Sequence, residues 1–265
     1  MRNLNWYIDI GNSSISVGRE MDGKLSFFYE FKEDSIPKLC KIISYCGIKY
    51  ENKVVMCSVV PKIEKLVCDR LRHYKILNYL VLGKHLPIRI ASKYASFKQL
   101  GNDRKANVYG ALGRWKPPFL ILDFGTATTI DYVSANRVFE GGLIIPGIKS
   151  CLDLLHEKTA LLPPVRIKPV PYFLGRSTKA GMLSGVLNGY GAMVDGLVRE
   201  FKSRYGTNLK TIGTGGLVDI VGKYCGGFDH ADPMLTLQGI RDVYQDWCSS
   251  GPKGLSKWRL KKNHG

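Results

Sequence analysis

Two short apolar runs in this chain end in nearly the same turn. Trp6-Tyr7-Ile8 leads into Asp9-Ile10-Gly11-Asn12-Ser13, and Phe119-Leu120-Ile121-Leu122 leads into Asp123-Phe124-Gly125-Thr126-Ala127-Thr128-Thr129. Each turn is followed by a second apolar segment, Ile15 to Gly18 in the first and Ile130 to Val133 in the second, as a hairpin requires. One Asp-x-Gly tripeptide occurs by chance at ordinary turns. Two copies about one small domain apart, each after an apolar strand, point to an internal duplication. With 265 residues, 45% of them hydrophobic, the chain is long enough for either one large α/β domain or two small ones. The paired prolines of Trp115-Lys116-Pro117-Pro118 mark the hinge, giving expected domains at 1–115 and 116–250, followed by a tail at 251–265.

The turns have the chemistry of oxygen-anion cradles. Gly11 and Gly125 remove the Cβ that would hold a phosphate away from backbone N–H groups, and Asn12, Ser13, Ser14, Thr126, Thr128 and Thr129 add side-chain donors. Asp9 and Asp123 would repel a phosphate directly, so a carboxylate there is suited to a hard cation that in turn contacts the phosphates. No GxxxxGK[ST] motif is present, which excludes a P-loop kinase at motif level. His156 and His230 have no partner at catalytic spacing, and none of the seven cysteines forms a CxxC pair, so neither a Ser-His-Asp hydrolase nor a zinc enzyme is supported.

The charge of +17, from 39 Lys and Arg against 22 Asp and Glu, would attract any polyanion without choosing among them. Part of it sits in the Gly- and Pro-punctuated tail, at Lys253, Lys257, Arg259, Lys261 and Lys262, read as a flexible solvated segment. Nucleic acid is not expected as a partner despite this charge. Apolar runs such as Phe119 to Leu122 fall far short of the roughly 20 residues of a membrane span, and the N-terminus has no secretory h-region. The expectation is a cytoplasmic protein with no membrane partner.

Paired Asp-Gly hairpins in tandem halves resemble the actin, sugar-kinase and heat-shock-chaperone ATPase superfamily. That resemblance implies an α/β fold of two tandem ribonuclease H-like (actin-like ATPase) domains with a nucleotide cleft between them. The ordered series Cys57-Ser58-Val59-Val60-Pro61, Gly101-Asn102-Asp103-Arg104, Asp123-Phe124-Gly125-Thr126-Ala127-Thr128-Thr129, Gly141-Gly142-Leu143-Ile144-Ile145-Pro146-Gly147, Thr159-Ala160-Leu161-Leu162-Pro163, Gly175-Arg176-Ser177-Thr178 and Thr214-Gly215-Gly216 resembles type III pantothenate kinase. Three positions depart from the family pattern: Ser13 stands where Thr is usual, Asn102 replaces a small residue, and Phe97 stands where Pro is common.

The resemblance implies ATP-dependent phosphorylation of pantothenate, the first step of coenzyme A biosynthesis. It implies Asp103 as the catalytic residue that orients the acceptor hydroxyl, with Tyr94, Gly101, Asn102, Arg104 and Thr178 as further pantothenate contacts. The ATP-binding residues it implies are Asp9, Ile10, Gly11, Asn12, Ser13, Ser14, Ile15, Ser16, Thr126, Gly215 and Gly216. It further implies ATP with Mg²⁺, a monovalent cation (K⁺ or NH₄⁺) on Asp123, and a homodimer. Read in isolation, Gly101 to Arg104 also suits a surface turn, and Gly213 to Gly216 a plain left-handed turn. Apolar residues at helical spacing from Ala180 to Tyr205 predict a helix in which Gly181, Gly185 and Gly189 fall four apart, facing either the sheet or another subunit. Two alternatives remain open: a non-catalytic Bvg accessory factor-like regulatory or binding protein of the same fold, and a sister kinase acting on another hydroxylated acid.

Overall fold

The computed structural model describes residues 4–46 and 53–250; the expected tail at 251–265 lies outside the described residues. The described residues form two compact units, one from those up to Trp115 together with Met234 to Ser250, the other Lys116–Pro233.

In the first unit, β1 (Leu4–Ile10), β2 (Ile15–Met21) and β3 (Lys24–Phe31) form an antiparallel meander. After α1 (Ile36–Tyr45), β4 (Val54–Ser58) adds in parallel to the other side of β1, and after α2 (Pro61–His73), β5 (Tyr79–Val81) adds to β4. The strand order is β3-β2-β1-β4-β5. Both helices begin at a proline in the first turn, where the missing N–H costs no hydrogen bond. Side chains along β1 alternate between two cores. Trp6, Ile8 and Ile10 pack with Leu39, Ile43, Val67 and Leu71, while Tyr7 packs with Val55, Cys57, Ala106 and Tyr109. Period two therefore puts Asp9 on the face of Tyr7, away from α1 and α2. A two-residue strand β6 (Ala91–Ser92) precedes α3 (Asn102–Arg114).

The second unit repeats the plan. An antiparallel meander of β7 (Phe119–Phe124), β8 (Ala127–Val133) and β9 (Val138–Pro146) is followed by α4 (Ile148–Glu157) and α5 (Thr178–Tyr205). Then β10 (Lys210–Thr214) adds in parallel to β7, and after α6 (Val218–Val221), β11 (His230–Ala231) adds to β10. The run β9-β8-β7-β10-β11 matches β3-β2-β1-β4-β5 strand for strand. Leu120, Leu122 and Phe124 pack with Leu183, Leu187 and Val194 of α5. Ser177 caps α5 by accepting from the Ala180 N–H at 3.3 Å.

The last helix, α7 (Leu235–Ser250), belongs with the first unit, so the expected single C-terminal domain over 116–250 stops short of it. The cause is a close helix crossing. A Cβ on Gly239 would collide with the Ala106 carbonyl, and one on Gly110 would lie 3.1 Å from the Gly239 Cα. Polar pairs between distant parts of the sequence lock the crossing: Tyr109 Oη donates to Asp246 at 2.6 Å, Arg114 donates to Asp242 at 2.5 Å, and Thr236 Oγ1 donates to Asn107 at 2.7 Å. The helix α3 is thus braced along its length, which fixes the direction in which its N-terminus points.

Candidate active site

In the first unit the site is built at the carboxyl ends of parallel strands, where α/β sheets place ligands. Asp9 is opposite Cys57 and Ile10 opposite Ser58 across β1 and β4. The turn after β1 closes with the Gly11 N–H donating to the Ser14 carbonyl at 3.0 Å. Asn12 and Ser13 are exposed at its tip, and Ile10 and Ile15 are buried in the apolar core. For these two isoleucines only the backbone can serve a ligand.

Asp103 occupies the first turn of α3 and is half-buried, so the simple surface turn is not what forms here. Its Oδ1 accepts from the Arg104 N–H at 2.7 Å, and Gly101 must lack a Cβ because one would overlap that oxygen. Burial pushes the Asp103 carboxyl above its ordinary range, while the Arg104 N–H and guanidinium and the Lys105 ammonium pull it back. Arg104 is buried and its guanidinium lies 5.9 Å from the centroid of the Tyr94 ring. These contacts bring Tyr94, Gly101, Asp103 and Arg104 together. Cys57 lies within the fields of Asp9, Asp103, Lys105 and Glu64; burial first, then the carboxylates, pushes its thiol well above the usual range. Burial thus disfavours the thiolate form there.

In the second unit Asp123, one residue before the end of β7, lies between two threonines, opposite Thr129 on β8 and Thr214 on β10. The hydroxyl oxygens of Thr129 and Thr214 are both buried and have no hydrogen-bond partner among the described residues. Directly paired residues share a face of the sheet, so a carboxylate and two unsatisfied hydroxyls stand in one row. Such a set of hard oxygen donors fits a hard cation. Among the described residues no group of three His, Cys, Asp or Glu stands together. Gly215, at φ +87°, completes the row: a Cβ would lie 2.5 Å from Asp123 Oδ1 and 2.7 Å from the Phe124 amide nitrogen. Asp123 and the Gly213 to Gly216 turn are therefore one structure.

The hairpin threonines divide by parity. Thr128 is 1% exposed and accepts from Tyr190 Oη at 2.6 Å, so its hydroxyl belongs to the core and not to an anion cradle. Thr126 sits in the turn itself, its carbonyl accepting from the Gly147 N–H at 3.1 Å and from Ser150 Oγ at 2.8 Å. Thr178 is exposed at the start of α5, one residue after the cap. Along α5, Gly181, Gly185 and Gly189 have no described atom within 4 Å of the place a Cβ would take, so this ridge does not pack against the sheet. The placement of Thr214 beside Asp123 has no signal in the sequence beyond its position before the glycine turn, and the burial of Lys105, next to Arg104, has none.

Comparison with known proteins bears on the fold and the family. The solved structures with a similar fold include one named for a Baf family transcriptional activator from Campylobacter jejuni, at TM-score 0.58 and 20% identity, covering 92% of this chain and 99% of that one. Another is named for a 2-dehydro-3-deoxygalactonokinase from Sinorhizobium meliloti, at TM-score 0.55 and 12% identity, covering 91% of this chain and 98% of that one. At these identities the likeness is one of fold. A type III pantothenate kinase from Persephonella marina is 33% identical over 247 residues, which make up 89% of this chain and 96% of that protein. The family model described as type III pantothenate kinase matches residues 6–200, a span that holds both Asp-Gly hairpins and the Asp103 turn, and the chain belongs to that family.

Proposed function

We propose that this protein is a pantothenate kinase, transferring the γ-phosphoryl group of ATP to the primary hydroxyl of pantothenate in the first step of coenzyme A biosynthesis. The observation that carries the reading is Asp103, held by the Arg104 N–H on the first turn of a braced helix in a chain of this family. Phosphoryl transfer through a loose transition state asks for positioning of the nucleophile more than for a strong base. Asp103 orients the alcohol and accepts its proton late in the transfer. Arg104, stacked by Tyr94, offers a planar fork to the pantothenate carboxylate, with Asn102 and Thr178 as further contacts. The backbone of Asp9 to Ser16 and the Thr126 hairpin take the phosphates, and Gly215 and Gly216 leave room for the nucleoside. Mg²⁺ arriving with ATP neutralises phosphate charge and needs few protein ligands.

Asp123 with the hydroxyls of Thr129 and Thr214 holds a monovalent cation in this reading, supported by the two unsatisfied oxygens. We also place a homodimer contact on the open Gly181, Gly185 and Gly189 ridge, near exposed Phe173 and Leu174 on the preceding segment. The enzyme would act in the cytoplasm; among the described residues no helix is long and apolar enough to cross a membrane. The binding-protein alternative has only the fold likeness to the Campylobacter jejuni structure behind it.

A coupled assay tests this. ADP release should depend on added pantothenate, and replacing K⁺ by Na⁺ should lower the rate several-fold, because a site of fixed oxygens discriminates by ionic radius. Equal rates in the two salts would remove the cation from the Asp123 row. ADP release indifferent to pantothenate would overturn the kinase reading.

A further inference from the structure

Two residues near Asp103 in the sequence, Phe97 and Asn102, meet at a third. Lys105 is only 6% exposed, and its Nζ donates to Asn102 Oδ1 at 3.1 Å while lying 4.6 Å from the centroid of the Phe97 ring. Asn102 is thereby oriented at both ends, because its Nδ2 donates to the Leu82 carbonyl at 3.2 Å. A chain of contacts then runs from Phe97 through Lys105 and Asn102 to the turn at Leu82. It passes through the residue immediately before Asp103. Gly83 fits this chain closely: a Cβ there would lie 2.6 Å from Asn102 Nδ2.

A buried ammonium in the opening turns of a helix is unfavourable twice over. It loses hydration, and it faces the positive end of the helix dipole. An apolar side chain would fill the same space without either cost, so fold stability alone does not account for a lysine here. Burial presses Lys105 towards its neutral form, and Cys57 and Asp103 oppose that. The titratable and charged groups facing Asp103 are Arg104 and Lys105 on α3 and Cys57 on β4; Asp9 on β1 and Glu64 on α2 act on Cys57 in turn.

We propose that Lys105, held between Phe97 and Asn102, is a positioning residue that fixes the Gly101–Asp103 turn so that the Asp103 carboxylate faces the acceptor hydroxyl. The proposal rests on the kinase reading for its catalytic consequence, whereas the hold of Lys105 on Asp103 can be measured without turnover.

The test compares the full-length wild type with Lys105→Met, Asn102→Ala, the double variant, and Phe97→Leu. Lys105→Met should lower kcat about tenfold with the KM for ATP within twofold. The double variant should be no worse than about twice the Lys105→Met loss, because both substitutions break one chain of contacts. In the substrate-free protein, the ¹³C resonance of the Asp103 carboxyl, assigned by its loss in Asp103→Asn, should titrate at higher pH in Lys105→Met than in wild type. The sign follows because removing a nearby cation makes the carboxylate harder to form. An unchanged kcat and titration, or independent losses that multiply in the double variant, would overturn the proposal. If Lys105→Met does not fold by circular dichroism, Phe97→Leu at its half-buried site carries the kcat readout with a two- to threefold loss expected, and no change there also overturns it. If the wild type does not phosphorylate pantothenate, the kinase reading fails separately and the titration alone decides for or against the Lys105 contact.

Discussion

Replacing Asp103 by Asn is expected to lower kcat for pantothenate phosphorylation by about 10²- to 10⁴-fold, the range for loss of a positioned proton acceptor, while ATP binding changes little. The side-chain oxygen of asparagine can still accept from the Arg104 N–H, the 2.7 Å bond that shapes this turn, so the fold and the approach of Arg104 to Tyr94 should survive. What is lost is the carboxylate. Because phosphoryl transfer depends more on aligning the nucleophile than on basicity, the loss belongs at the lower end of that range if the introduced amide still aligns the alcohol. The pH profile sharpens the result. Burial raises the Asp103 carboxyl, and the deprotonated form is the active one, so wild-type kcat/KM should fall as pH drops through that raised value. The Asp103→Asn variant should lack this acid limb. Steady-state kinetics against pH, with calorimetric titration of a non-hydrolysable ATP analogue, checks both parts; a rate within threefold of wild type would remove Asp103 from the mechanism.

Gly215→Ala should be nearly as damaging through a different route. The backbone at φ +87° costs a side chain with a Cβ about 1–2 kcal/mol, and the added carbon would lie 2.5 Å from Asp123 Oδ1 and 2.7 Å from the Phe124 nitrogen. The Phe124 backbone belongs to a central strand hydrogen-bonded on both sides, so the carboxylate is the group that gives way. Swung aside, it leaves the row with Thr129 and Thr214. The expected result is a KM for ATP raised at least tenfold, loss of any preference for K⁺ over Na⁺, and a melting temperature lowered by a few degrees. A variant that melts lower yet keeps its ATP affinity and ion preference would show that the turn serves the fold alone.

The duplicated hairpin was legible because its information is local: an apolar strand, a carboxylate, a glycine and hydroxyls lie within a few residues of one another. The same plan of three antiparallel and two parallel strands follows in both units. What the sequence hides is whatever depends on register or on distant contacts. Thr128 and Thr129 look equivalent as neighbours, yet one bonds Tyr190 in the core and the other stands beside Asp123, because side chains alternate along a strand. The return of α7 to the first unit has no local signature either. It rests on Gly239 admitting the Ala106 carbonyl, a fit visible only once both helices are in place. Lys105 escaped notice for a similar reason, since a cation after an arginine suggests solvent until its contacts with Phe97 and Asn102 are seen.

Phosphorus NMR of purified protein with ATP, Mg²⁺, K⁺ and pantothenate addresses the central claim most directly. The account predicts a new phosphomonoester resonance split by the two protons of the adjacent methylene group, growing in step with ADP and absent when pantothenate is omitted. ADP accompanied only by inorganic phosphate, or an ATP spectrum that never changes, would contradict it.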